Sequence, residues 1–161
     1  MKYLKIILIL FFVSPVFSNE VFKLKKIAEL NNPWSLTFVN ETEVLVSDKE
    51  GQIQLINIKN GSQQIVQHNL NYMVDGQGGL LEILKKKEDI FICYTEDRNS
   101  GKTSTSIAKA KFSRKNLNFK NIFQANPPIN SGYHFGCRMI IKDEKYLFAS
   151  AGERGGGNIA Q

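Results

Sequence analysis

Short apolar runs separated by polar turns dominate the chain from residue 33 onward, and their lengths predict strands. Leu36-Thr37-Phe38-Val39 leads through Asn40-Glu41-Thr42 into Val44-Leu45-Val46-Ser47. Asp48-Lys49-Glu50-Gly51 is the next turn, Ile53-Gln54-Leu55-Ile56-Asn57 the next run, and Asn60-Gly61 a further hairpin signal. Runs this short, bounded by Asn, Asp and Gly, fit strands joined by tight turns better than helices. The phrase of strand, turn and strand then recurs. Leu80-Leu81-Glu82-Ile83-Leu84 precedes Ile90-Phe91-Ile92-Cys93-Tyr94, and Met139-Ile140-Ile141 precedes Tyr146-Leu147-Phe148-Ala149. The second strands return after about 46 and then about 56 residues, an interval expected of β-propeller blades. Ser104 to Phe112 and Leu117 to Phe123 read as outer strands of the second blade. A β-sandwich would also give short strands with turns, so the pattern alone leaves both architectures open within an all-β class.

The first residues break this pattern. Lys2 and Lys5 precede an apolar stretch from Ile6 to Val13, Ser14-Pro15 interrupts it, and Val16-Phe17-Ser18 supplies a cleavage-like ending. We read residues 1–18 as a signal peptide and 19–161 as one mature domain, periplasmic or secreted. The apolar stretch falls well short of the ~20 residues needed to cross a bilayer, so no membrane anchor is expected. The leader holds two of the 21 basic residues and none of the 15 acidic ones, leaving a formal charge of +4. That excess is dispersed along the chain, which argues for solvated faces and against nucleic-acid binding. Two cysteines, Cys93 and Cys137, would enter an oxidising compartment. On different blades of an apolar core, two buried and unpaired thiols are the expected outcome over a bridge. No Cys/His spacing suggests zinc. Asn40-Glu41-Thr42 and Asn60-Gly61-Ser62 match the glycosylation sequon, a pattern frequent by chance.

Candidate chemistry concentrates in Gly132-Tyr133-His134-Phe135-Gly136-Cys137-Arg138 and in Gly152-Glu153-Arg154-Gly155. His134 is one of only two histidines, and it sits in a glycine-flanked turn between strands. Imidazole titrates near neutrality, so an accessible histidine can take up and release a proton during turnover. On these residues alone a structural histidine is the commoner outcome, and Gln77 within Gly76-Gln77-Gly78-Gly79 reads as a plain tight turn. Arg138, after a Gly-Cys turn, is expected to fix the blade.

Taken in order, several motifs resemble those of the soluble PQQ-dependent sugar dehydrogenases, the glucose/sorbosone or aldose dehydrogenase family. They are Asn32-Pro33-Trp34-Ser35-Leu36, Asp75-Gly76-Gln77-Gly78-Gly79-Leu80-Leu81, Tyr94-Thr95-Glu96, the His134 motif, Tyr146-Leu147-Phe148, and Gly152-Glu153-Arg154-Gly155 running to Ala160-Gln161. The resemblance implies a six-bladed β-propeller, of which this chain supplies the first two to three blades. It implies PQQ at the wide mouth, held partly through calcium, and oxidation of an aldose at its anomeric carbon to a lactone. Hydride would pass to the quinone while His134 acts as general base. Gln77 would line the mouth beside the sugar, and Gln161 would contact the cofactor. Tyr133 stands where many relatives carry a histidine or aspartate; it can hydrogen-bond a sugar but supplies no carboxylate, which puts sugar preference in doubt. Lys85-Lys86-Lys87 replaces a His-Pro segment common in the family. No metal ligand is assigned here, since the residues for calcium and most of the quinone are expected beyond Gln161. The expected partners are a sugar substrate and an electron acceptor. Alone, residues 19–161 are expected to be inactive, with exposed apolar faces around Trp34, Leu80 and Phe148. The alternative is a non-catalytic propeller that binds a protein or glycan, as in the Hedgehog-interacting proteins, whose fold is similar.

Overall fold

A computed structural model describes residues 22–159. The signal-peptide reading and Gln161 therefore lie outside the described residues. The first blade is an antiparallel sheet of β1 (Pro33–Asn40), β2 (Glu43–Asp48), β3 (Ile53–Asn57) and β4 (Gln63–Ile65), in that spatial order. Polar side chains close its turns, as the sequence pattern implies. Asn40 Oδ1 accepts from the Thr42 N–H at 2.8 Å, Asp48 Oδ1 from Glu50 at 2.7 Å, and Asn57 Oδ1 from Lys59 at 2.9 Å. These Asx turns stand in for backbone turn hydrogen bonds.

A short strand β5 (Gln67–His68) leads into the second blade: β6 (Leu80–Lys86), β7 (Asp89–Asp97) and β8 (Thr103–Lys111). After β9 (Asn116–Leu117), which pairs in parallel with β5, β10 (Lys120–Gln124) completes this sheet on the far side of β8. A third unit starts with the hairpin β11 (Gly136–Lys142) and β12 (Tyr146–Ala151). The described residues are thus all-β, with two four-stranded blades and a hairpin of a third unit.

Sheets pack face to face. Leu45, Ile53 and Leu55 of the first blade meet Leu80, Ile83, Ile90, Ile92 and Ala108 of the second in one buried cluster. Leu81, Cys93 and Ile107 on the opposite face of the second blade meet Phe135, Cys137 and Met139. Alternation along the strands supplies both faces, because successive side chains point to opposite sides of a sheet. The first strands of adjacent units also lie side by side. Ser35 Oγ of β1 accepts from the Ile83 N–H of β6 at 3.3 Å, Thr37 Oγ1 from Lys85 at 3.0 Å, and Glu82 of β6 from the Met139 N–H of β11. Small hydroxyl side chains thus satisfy inner-strand N–H groups that have no ladder partner on that side.

Two expectations are corrected. Cys93 and Cys137 form a disulfide between the second blade and the hairpin, with Cα atoms 6.2 Å apart and a sequence separation of 44. Strand pairing, which sequence spacing did not convey, puts them opposite each other across a sheet interface. Closing a loop of that length in the unfolded chain corresponds to about 4 kcal/mol on a chain-entropy reckoning. Trp34 and Phe148 are about half exposed, as expected, but Leu80 is fully buried because it faces the core between the two blades. The outward apolar positions are instead Trp34, Leu36 and Phe38 on β1, with Ile140 and Phe148 on the hairpin.

One ion pair ties the first blade to the loop after β8. Arg114 makes a bidentate contact with Glu43, at 2.7 and 2.6 Å. Donation by Arg114, with help from Asn40, holds the Glu43 carboxyl down to about 2. A carboxyl depressed on folding stabilises the fold above its ordinary range and loses that contribution as pH falls towards the folded value. The native protein should therefore lose stability between about pH 4.5 and pH 2 more steeply than Arg114→Ala. Denaturant midpoints measured across that window check this, and parallel curves would contradict it.

Candidate active site

The candidate residues meet where the turn before β6 and the turn before β11 come together. Gln77 holds the second turn twice. Its backbone N–H donates to Gly132 O at 2.8 Å, and its side-chain Oε1 accepts from the His134 N–H at 2.9 Å. Glycines make this approach possible, since a Cβ on Gly76 would lie 2.4 Å from Gly132 O. His134 itself has φ 50°, in the left-handed region that non-glycine residues seldom occupy. Strained backbone of this kind persists only where its surroundings fix it, and it collects at functional sites.

The His134 Nδ1 lies 2.5 Å from Glu153 Oε1. The pairing of β11 with β12 explains the meeting: Gly136 is opposite Ala151, and two residues further out on each side stand His134 and Glu153. Donation from His134 is the main cause that holds the Glu153 carboxyl below its usual range. An ionised carboxylate only accepts, so Nδ1 is the nitrogen that donates, and in the neutral ring this tautomer leaves the lone pair on Nε2. The imidazole side chain is about half exposed, and its Nε2 has no hydrogen-bond partner among the described residues. This is the arrangement of an oriented base: one nitrogen fixed by a carboxylate, the other open.

Arg154 anchors the turn from behind. Its guanidinium is buried and donates to Thr103 Oγ1 at 2.7 Å, Thr103 O at 3.3 Å, Tyr133 O at 3.1 Å and also Ser131 O. It stacks on the Phe135 ring, 3.6 Å from its centroid. Five donors in a planar fork let one side chain satisfy several carbonyls that the turn leaves outside any ladder. On the other side, Thr105 Oγ1 donates to Phe135 O at 3.0 Å. A Cβ on Gly152 would lie 1.9 Å from His134 O, so only glycine lets the two chains approach so closely.

Of the residues singled out in the sequence, His134, Gln77 and Tyr133 come together. Tyr133 is well exposed, and its ring meets that of His134 edge-on at 6.4 Å. Arg138 pairs with Glu82 at 3.2 Å, in keeping with a blade-fixing role. Sequence reasoning assigned no role to Glu153 or Arg154. Hairpin register, extended two residues beyond its last pair, was the signal that could have found Glu153. Among the described residues no cluster of His, Cys, Asp and Glu could hold a metal ion.

Comparison with known proteins gives the family and the fold. The family model described as glucose/sorbosone dehydrogenase matches residues 30–161, and the chain belongs to that family. The aldose sugar dehydrogenase YliI of Escherichia coli K12 is 26% identical over 142 residues, covering 83% of this chain and 38% of the relative. The apo crystal structure of the soluble aldose sugar dehydrogenase from Escherichia coli superposes with a TM-score of 0.76 at 26% identity, covering 82% of this chain and 41% of that one. A glucose dehydrogenase crystal structure gives 0.73 at 29% identity, over 79% and 40%. The PQQ-bound aldose sugar dehydrogenase from Streptomyces coelicolor, 23% identical with a TM-score of 0.69 over 82% and 41%, shares the fold. The two blades and hairpin are therefore those of a β-propeller, and the chain spans about 40% of the length of these relatives.

If His134 depresses Glu153, His134→Ala should raise the Glu153 midpoint towards the ordinary carboxylate range. Carbon-13 NMR of the side-chain carboxyl reads this directly, and an unchanged midpoint would show that the pair is not formed in solution.

Proposed function

We propose that this chain carries the catalytic base of an exported, PQQ-dependent dehydrogenase that oxidises aldoses at the anomeric carbon to lactones. The observation that carries the reading is the exposed His134 imidazole, with Nδ1 held by ionised Glu153 and Nε2 open. Family membership gives the reaction class, a sugar dehydrogenase. The donor set suits the ligands: an imidazole, an amide and a phenol offer hydrogen bonds to both donors and acceptors, which matches a polyhydroxylated sugar beside a quinone. PQQ, when bound, supplies the two-electron oxidant, and the protein supplies position and proton handling.

In this reading His134 Nε2 accepts the proton of the anomeric hydroxyl. Glu153 keeps the ring oriented and stabilises the imidazolium that results, because an ionised partner lowers the cost of that charge. The Gln77 carbonyl stays on the His134 N–H, and its amide nitrogen, with no partner among the described residues, is left to donate to a sugar hydroxyl. Tyr133 would add a further hydrogen bond from the rim. Gln161 is proposed as a cofactor contact, with calcium and most of the quinone pocket held by the remainder of the protein, so residues 19–161 alone are proposed to be inactive. An oxidising compartment, periplasmic or extracellular, accords with the buried Cys93–Cys137 disulfide and the leader-like start. An electron acceptor would reoxidise the cofactor. A non-catalytic binding module would have no use for a carboxylate-oriented, solvent-accessible imidazole.

The test uses the full-length protein reconstituted with PQQ and calcium. His134→Ala should bind the quinone, followed by its absorbance, yet lose turnover by roughly 10²-fold or more, the scale for removing such a base. Gln77→Ala should weaken apparent sugar affinity and, because the Gln77 carbonyl also holds His134, lower turnover by a smaller factor. Nearly unchanged sugar oxidation in His134→Ala would sink the assignment.

A further inference from the structure

β11 carries one residue more than β12 can match. Gly136 pairs with Ala151 and Met139 with Ala149, so three steps along one strand span two along the other. This is a β-bulge, which bends a strand and re-aims nearby side chains. Cys137 lies in it with φ 78°, a conformation that glycine ordinarily supplies in such a bulge. The Arg138 N–H, which faces β12, donates to the Ser150 side chain (Oγ, 3.0 Å) in place of a backbone carbonyl, and the Met139 N–H, on the side facing β6, donates to Glu82. Residues 138 and 139 are thus held by hydrogen bonds, whereas residue 137 is held by its covalent bond to Cys93 on β7. Both cysteines are buried. Three residues upstream is His134, at φ 50°, and between them Gly136 has φ 70°. The turn that bears the imidazole therefore leaves the sheet through left-handed residues, and an L side chain keeps that conformation only when its surroundings over-determine it.

We propose that the Cys93–Cys137 disulfide is a positioning device for His134. By tying Cys137 to the second blade, it clamps a non-glycine residue into the left-handed bulge, and so fixes the direction in which the turn delivers the imidazole to Glu153. Cys137 touches no reacting group; it acts through the backbone of the turn. Burial of both partners makes the bond a fixed clamp and not a redox switch. The catalytic consequence rests on reading His134 as the base, whereas the structural claim does not.

The test compares Cys93→Ala/Cys137→Ala with Cys93→Ala/Cys137→Gly in the full-length protein. Alanine keeps the left-handed penalty without the clamp, and glycine removes the penalty. Two readouts need no cofactor: the Glu153 carboxyl titration by NMR, referenced to His134→Ala, and amide hydrogen exchange across residues 132–139. The alanine pair should show a Glu153 midpoint raised to that of His134→Ala and exchange accelerated by about 10-fold or more, while the glycine pair stays near native. With PQQ and calcium, the alanine pair should also lose about 10-fold or more in kcat with sugar KM little changed, the mark of lost orientation. A native Glu153 midpoint and native exchange in the alanine pair would overturn the proposal. So would a glycine pair as disturbed as the alanine pair, or one that does not fold, because the bond would then serve the sheets and not residue 137. Should the alanine pair fail to fold, a native midpoint in the glycine pair supports the clamp and a raised one refutes it. Normal kcat in an alanine pair whose Glu153 midpoint has risen would support the clamp and count against His134 as the base.

Discussion

The site depends first on the antiparallel pairing of Gly136 with Ala151 at the open end of the β11–β12 hairpin. Continued past the sheet, that pairing sets Gly152, Glu153 and Arg154 alongside Tyr133, His134 and Phe135. Each contact that gives the imidazole its orientation follows from it. Gly152 N–H donates to Phe135 O at 3.0 Å, Arg154 N–H to His134 O at 3.3 Å, and the ring reaches Glu153. A shift of one residue in this register would turn the Glu153 side chain to the other face of its strand and dissolve the pair.

The second constraint comes from the neighbouring blade. The turn bearing His134 has no ladder of its own, so its polar groups are met by Gln77 in front and by Arg154 and Thr105 behind. The chain thereby builds a rigid mount for an exposed side chain between the second blade and the hairpin, which are also joined by apolar packing, the Cys93–Cys137 disulfide and the contacts of Glu82. Close backbone approach is the cost of that geometry, which is why glycine stands at 76 and 152, where a Cβ would overlap a carbonyl oxygen. Rigid support of this kind is what a base needs, since small displacements of a reacting group reduce rate steeply.

Much of the fold could be read from the chain alone. Apolar runs with Asn, Asp and Gly turns located three of the four strands of the first blade closely, and the blade-like interval located the second and the hairpin. The propeller, as opposed to a sandwich, came from motif order and not from strand length. What was hidden was pairing across sheets: the Cys93–Cys137 bridge, the burial of Leu80, and the meeting of Glu153 with His134 all depend on which strand lies against which. His134 and Gln77 gained their roles from the resemblance, their flanking glycines marking only turns, whereas Arg154, inside a motif already singled out, had no role until the carbonyls it gathers were in view.

On the proposed function, His134, oriented by Glu153, accepts the proton in a reaction that breaks the anomeric C–H bond of an aldose. The most direct measurement is turnover of a sugar deuterated at the anomeric carbon by the full-length protein reconstituted with PQQ and calcium, followed under single-turnover conditions. The account predicts lactone as product and a primary isotope effect on its formation. Binding of the sugar with no oxidation under these conditions, or formation of a product other than the lactone, would contradict it.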